Sequence, residues 1–531
     1  MATRAPREGF DPTSSLVVCG DVRPVAGTGT AEAVCIVDGT VTAVGSIAEV
    51  TAVAPEGIRT VHHDGVVAPA FVDSHVHVMW LGRAAGRLRL DDCTSIPQAL
   101  DRIRAAASDL PRSSWLLGSA GFDETSFEER RLPTLAELDE AAGGRPMLLD
   151  RRGHDGLASS AALRSAGIRD DSPDPVGGRF GRDADGHLTG ELVEHGAVAV
   201  VSAVVPAPTE AQRRGWIRTG LDELVRVGVT CAADPALGID ELAAYRDLYV
   251  SEDPPVRLVV FPHALDGSDP EQFRKEVESV GISQDPAARL SLGPAKLFVD
   301  GGGMLGTALR HDPWPGTDSC GVQSTSTETL ESYIAWAAQR RSGLALHTVG
   351  PAAVELVLDL LRRPVDAGIL PSWAGTGTHL IHAYLEHRVE FAAQAAELGV
   401  GVAAQPALGD AALPSIRNRL GEPAAATLGR LGNWLAHGVV VGGGSDAPGP
   451  ELSPAAGMAS VLREIGAEAA WRLHTSGAAA LLGTAGGHLV PGGPGDLVLL
   501  ADDPLTAPGD RLTAPDFVRG TVATGRLTTI G

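Results

Sequence analysis

Four apolar runs in this 531-residue chain end abruptly on histidine or aspartate, and that repetition constrains the fold more than any other feature. Gly65-Val66-Val67-Ala68-Pro69-Ala70-Phe71-Val72 leads into Asp73-Ser74-His75-Val76-His77. Gly343-Leu344-Ala345-Leu346 stops at His347, Thr378-His379-Leu380-Ile381 at His382, and Val439-Val440-Val441-Gly442-Gly443-Gly444-Ser445 at Asp446. Residues i and i+2 of a strand face the same way, so His75 and His77 would present two imidazoles on one side of a strand end. An H-x-H pair alone is matched as well by two satisfied histidines. Four such endings together call for a scaffold that collects strand termini, and a barrel of parallel strands gathers them at its C-terminal rim.

The rest of the chain has the matching rhythm. Strand-like runs such as Thr230-Cys231-Ala232-Ala233-Asp234, Val256-Arg257-Leu258-Val259-Val260-Phe261 and Val400-Gly401-Val402-Ala403-Ala404 alternate with Ala- and Leu-rich helical stretches. That alternation predicts an α/β fold with a parallel sheet and helices outside it. Over roughly 400 residues it suits a (β/α)8 TIM-like barrel better than one open sheet. Residues 15 to 67 read as short strands, with Asp38-Gly39 as a hairpin turn. Gly495-Asp496-Leu497-Val498-Leu499-Leu500 and Phe517 to Ala523 have the same character. A lone hairpin is only marginally stable, so both ends are expected to join in one small β-sandwich. The expected division is 1–67 with 485–531 as sandwich and 68–484 as barrel, with an insertion at 84–215 that is rich in turn residues.

Composition narrows the class. Hydrophobic residues make up 44% and charged residues 21%, as in ordinary folded proteins. The net charge of −23 and the absence of any basic run make nucleic acid and anionic membrane surfaces poor partners. The expected partner is a small molecule, with a homodimer as the assembly allowed for. Met1 to Phe10 lacks the apolar core of a signal peptide and no later segment has the apolar length of a membrane span, so a cytoplasmic location is the default expectation. The five cysteines are odd in number, scattered and without a C-x-x-C pair, which predicts buried thiols rather than disulfides or a zinc ribbon.

Lysine use is unusual. Only Lys275 and Lys296 occur among 43 basic residues. Lys275 lies in Glu271 to Glu278, which reads as an exposed amphipathic helix, whereas Lys296 lies in Leu290 to Gly301, which reads as a buried strand. Burial lowers a lysine's pKa, and an ammonium has no lone pair for a metal. A neutral amine can add carbon dioxide, and the carbamate would offer two oxygens to cations held by the histidines. The competing reading is a packed stem with a head that snorkels to water.

These motifs resemble the amidohydrolase superfamily, in the branch of the N-substituted formamide deformylases. The resemblance rests on Phe71-Val72-Asp73-Ser74-His75-Val76-His77, on Gly177-Gly178 with Arg182-Asp183 and Gly186-His187-Leu188-Thr189-Gly190, on Lys296 with Asp300-Gly301, on Gly444-Ser445-Asp446-Ala447-Pro448, and on Pro491-Gly492 with Gly495-Asp496-Leu497-Val498. It covers nearly the whole chain. It implies that His75 and His77 end strand one, Lys296 strand four, His347 strand five, His382 strand six and Asp446 strand eight, holding one or two divalent ions, usually zinc. It also implies hydrolysis of amides, formamides and related C–N bonds. Two positions depart from the branch: Ile381 stands where Glu is common, and Ala233-Asp234 where His-Asp is common.

The chemistry follows from what such hydrolysis requires. A divalent metal supplies a nucleophilic hydroxide and polarises the carbonyl, and Asp446 would move the proton from water to the leaving nitrogen. His154, Trp80, Arg152 and His263 are the substrate-side candidates, and Trp115 is a further possible lining residue. His379 and His387 flank the strand-six ligand without belonging to the set; His62, His63, His195 and His474 read as structural. The alternatives are a mononuclear deaminase or other non-amide reaction on the same scaffold, and a binding protein without activity.

Overall fold

The computed structural model describes residues 11, 13–24, 29–90, 93–108, 110–111, 114–119, 127–151, 155–175, 178–304, 306–386, 388–449 and 451–529. The chain forms two compact units: Met1–Leu81 with Arg213–Gly531, and Gly82–Gln212.

The larger unit is α/β and TIM-barrel-like. Its parallel strands are β1 (Phe71–Asp73), β2 (Val229–Leu237), β3 (Arg257–Pro262), β4 (Leu290–Leu292), β5 (Ala295–Phe298), β6 (Leu344–Thr348), β7 (His379–His382), β8 (Gly401–Ala404) and β9 (Val441–Gly443). One sheet runs β4-β3-β2-β1 and a second runs β5-β6-β7-β8-β9. Lys296 bridges to His263 at one junction, and the Ser74 amide donates to the Gly443 carbonyl at 2.9 Å at the other. The buried run from Leu290 is divided at Gly293-Pro294, where proline has no N–H to give a ladder.

Strand alternation sorts the core. In the register of the second sheet, Lys296 pairs with Ala345, Phe298 with His347 and His347 with Ile381. Ala345, Ile381 and Ala403 pack with Ala233, Val259, Phe261 and Leu481 in one apolar cluster. Their neighbours Leu346, Leu380, Val402 and Val441 belong to a larger cluster with helix residues such as Val357, Leu361 and Ala395. This two-sided burial is why the strands read as nearly unbroken apolar runs.

Both chain ends enter a single seven-stranded sheet, in which Leu497–Leu500 lies between Arg59–Pro69 and Val518–Ala523. The hairpin at Asp38-Gly39 is present, with Val37 paired to Thr40 and both turn residues at positive φ, 50° and 71°, as a tight two-residue turn requires. The smaller unit carries a six-stranded sheet of its own. Lys275 lies on the helix Pro270–Val280, as its sequence predicted. Cys19, Cys35, Cys93 and Cys231 are buried free thiols, whereas Cys320 is partly exposed and departs from that expectation. No helix among the described residues is long and apolar enough to cross a membrane.

Candidate metal centre

The C-terminal ends of β1 and β9 are locked together by one buried carboxylate. Asp73 accepts the His75 amide at 3.0 Å and the Ser445 amide at 3.1 Å. The Asp446 amide in turn donates to the His75 carbonyl at 2.7 Å. These bonds bring three side chains into register: Nε2 of His75 and Nε2 of His77 each lie 3.3 Å from Asp446 Oδ1. The ligand atoms of this trio all lie within 4.8 Å of one another, a spacing that a single cation could bridge.

His347 and His382 approach the same place from β6 and β7. The His382 ring is 4.8 Å from that of His347 and 5.6 Å from that of His75. Strand alternation alone would put His382 on the face of Leu380, among the helices. Its φ of 73° breaks that alternation, and Asp446 is likewise at a φ of 58°. Left-handed backbone is uncommon for residues other than glycine and marks a conformation imposed by the surroundings.

Three imidazoles have an oxygen on the side of the far nitrogen, and of these only the one beside His382 makes a hydrogen bond among the described residues. Gln405 Oε1 lies 2.7 Å from His382 Nδ1. Asp300 Oδ1 lies 3.4 Å from His347 Nδ1, and Asp234 Oδ1 lies 4.0 Å from His77 Nδ1. Both carboxylates are tied to backbone: Asp300 accepts the amides of Leu309, Val349 and Gly350, and Asp234 accepts those of Val78 and Met79 and the Tyr245 hydroxyl. The Gln405 contact has no warning in sequence beyond a polar residue that closes the buried run Gly401 to Ala404.

Electrostatics favour metal ligands in their binding forms. Burial pushes His75 down to about 3 and holds His382 well below the usual imidazole range, so both are neutral bases. Burial pushes the Asp446 carboxyl upward, but the contacts with His75 and His77 outweigh it and keep it well below its ordinary value. Lys296 is 1% exposed, its Nζ has no hydrogen-bond partner among the described residues, and burial lowers it to about 7 against the pull of Asp446 and Asp300. Neutral imidazoles, an ionised carboxylate and an orphaned amine are a donor set that fits a divalent cation.

The other expected residues divide. Trp80 stacks on His77 with ring centroids 4.4 Å apart and is 39% exposed. His263 meets the Phe298 ring edge-on at 5.2 Å, and Phe298 in turn meets His347 at 5.1 Å. Arg152, His154 and His387 lie outside the described residues. Trp115 packs within the smaller unit. His379 is buried at the opposite end of β7 from His382 and bonds the Gly377 carbonyl at 2.8 Å. The two departures from the formamide deformylase pattern, Ala233 and Ile381, belong to one apolar cluster.

The amidohydrolase family model matches residues 63–529. This chain belongs to the amidohydrolase family. YtcJ of Bacillus subtilis (strain 168) is 29% identical over 528 residues, 93% of this chain and 95% of that protein. The N-substituted formamide deformylase of Arthrobacter pascens is 28% identical over 416 residues, 74% of this chain and 73% of that enzyme. A metal-dependent hydrolase from Pyrococcus horikoshii OT3 superposes with a TM-score of 0.76 at 20% identity, covering 93% of this chain and 99% of that one.

Proposed function

We propose that this chain is a metal-dependent hydrolase of a C–N bond in a small molecule: an amide, a formamide or a cyclic amide. The observation that carries the reading is the meeting of His75, His77 and Asp446 within 4.8 Å, with His347 and His382 in ring contact beside them. Membership of the amidohydrolase family and the likeness to an N-substituted formamide deformylase support the bond class. His75, His77, His347, His382 and Asp446 would hold one or two divalent ions, zinc being suited to nitrogen-rich ligands. A bound divalent ion supplies Lewis acidity and makes water acidic near neutral pH.

The chain's own residues account for the rest. Asp446, ionised and 3.3 Å from both imidazoles, would take a proton from the attacking water and return it to the departing nitrogen. Lys296, whose amine burial holds towards the neutral form, would add carbon dioxide with loss of a proton, and the carbamate oxygens would complete the ligand set. Trp80 and His263 would flank the substrate, with Arg152 and His154 as further substrate-side residues. In this reading the two parallel sheets close as one eight-stranded barrel, with β4 and β5 as its fourth strand. The chain ends form the sandwich of 1–67 with 485–531, the barrel spans 68–484, and 84–215 is its insertion.

The test is turnover of a panel of N-substituted formamides, N-acyl amines and cyclic amides by metal-replete protein. Release of amine from at least one class is expected. No turnover across the panel, or deamination without hydrolysis of any amide, would remove the C–N hydrolase assignment.

A further inference from the structure

Gln405 closes β8 and opens the helix Pro406–Leu420, and it is 6% exposed. Its amide is oriented from both ends. The Nε2 group donates to the Ala403 carbonyl at 3.1 Å, which leaves Oε1 to face His382 Nδ1 at 2.7 Å. An amide oxygen can only accept, so the proton of a neutral His382 must sit on Nδ1. Its Nε2 is then a bare lone pair.

We propose that Gln405 is a positioning residue for the metal centre: it fixes the tautomer and ring orientation of His382, so that this histidine offers Nε2 to a divalent cation. The inference rests on the metal-dependent reading above and adds to it a determinant of metal affinity from outside the ligand set. Three observations converge on it. His382 sits at a φ of 73°, where strand geometry does not hold its side chain in place, so the ring depends on side-chain contacts for its direction. The carboxylates beside the far nitrogens of His347 and His77 stand off at 3.4 and 4.0 Å, whereas the neutral Gln405 amide makes a hydrogen bond at 2.7 Å. A cavity of about 140 Å³ lined by His382, Tyr384, Gln405 and Leu431 lies beside the pair, which leaves the ring room to turn if the hydrogen bond is lost.

An outer acceptor of this kind commonly contributes about 10- to 100-fold in metal affinity. The experiment compares Gln405→Met, which keeps the length and removes the acceptor, with Gln405→Glu, which keeps an acceptor oxygen. Zinc affinity is read by competition with a chromogenic chelator, and the thermal unfolding midpoint is read on metal-free protein. The expected result is zinc binding weakened at least 10-fold in Gln405→Met, affinity equal to or tighter than the parent in Gln405→Glu, and a metal-free midpoint within a few degrees for both. Parent-like affinity in Gln405→Met overturns the role, as does an equal loss in Gln405→Glu. If the parent chain itself binds no zinc, the metal-dependent reading fails and this inference fails with it; a parent that binds and a Gln405→Met variant that binds equally removes Gln405 alone.

Discussion

Asp73 accepts the backbone amide of Ser445 at 3.1 Å, joining two points 372 residues apart in the chain. That bond sets the spacing between the H-x-H segment and Asp446, and burial pushes the Asp73 carboxyl up to about 7 despite the hydrogen bonds it receives from Ser445 and His75. In Asp73→Ala the amides of His75 and Ser445 lose their acceptor in a dry setting, at about 1 to 3 kcal/mol for each buried group left unsatisfied. The expected outcome is a lower urea midpoint for metal-free protein together with weaker zinc binding.

A Cβ added at Gly444 would meet the His75 amide nitrogen at 2.6 Å, the His75 Cβ at 2.9 Å and Asp73 Oδ1 at 3.0 Å. Two of these are backbone or backbone-fixed atoms that cannot swing aside. Gly444→Ala should therefore separate the two ligand-bearing ends and lower metal affinity. Gly409→Ala, where no atom lies within 4 Å of the new methyl group, should leave affinity unchanged. Chelator competition on both variants checks the pair.

Asp446→Asn keeps the size of the side chain and removes the base. Proton transfer by a positioned side chain contributes about 10²- to 10⁴-fold to rate, so kcat should fall within or beyond that range while His75 and His77 retain metal. Metal content and turnover measured on the same preparation check this, and an undiminished rate would take Asp446 out of the chemistry.

His474 is a buried imidazole wedged against Gly443 and Gly457, and burial lowers it to about 4. A free imidazole titrates near 6.5, so between about pH 6.5 and pH 4 the unfolded chain binds a proton that the folded chain refuses. Folding stability from this residue is complete above pH 6.5 and is lost as pH falls towards 4, by about 3 kcal/mol at most. His474→Leu should show a smaller fall in urea midpoint between pH 7 and pH 4.5 than the parent does.

Sequence carried the parts of this molecule that repeat with strand periodicity. The apolar runs around Leu346, Leu380 and Val402 are legible because both faces of a parallel strand are buried, and Asp38-Gly39 is legible because few residues tolerate two successive positive φ angles. The endings at His75, His77, His347 and Asp446 stand out for the same reason: polar groups interrupt apolar runs. His382 was visible as an ending, but its direction was not, since a φ of 73° contradicts the alternation that its neighbours obey. Gln405 was invisible because its role depends on the Ala403 carbonyl and the His382 ring, neither of which local periodicity brings to it. The role of Asp73 in joining β1 to β9 has the same origin, a contact between distant segments that no single stretch of sequence encodes.

The most direct test of the account is the content of divalent metal per chain, measured by elemental mass spectrometry in the parent protein and in the double variant His75→Ala/His77→Ala after equal exposure to zinc and removal of excess ion. One to two ions per parent chain and a clear loss in the double variant are expected. A parent chain without bound metal, or a double variant that retains the parent's full content, would contradict it.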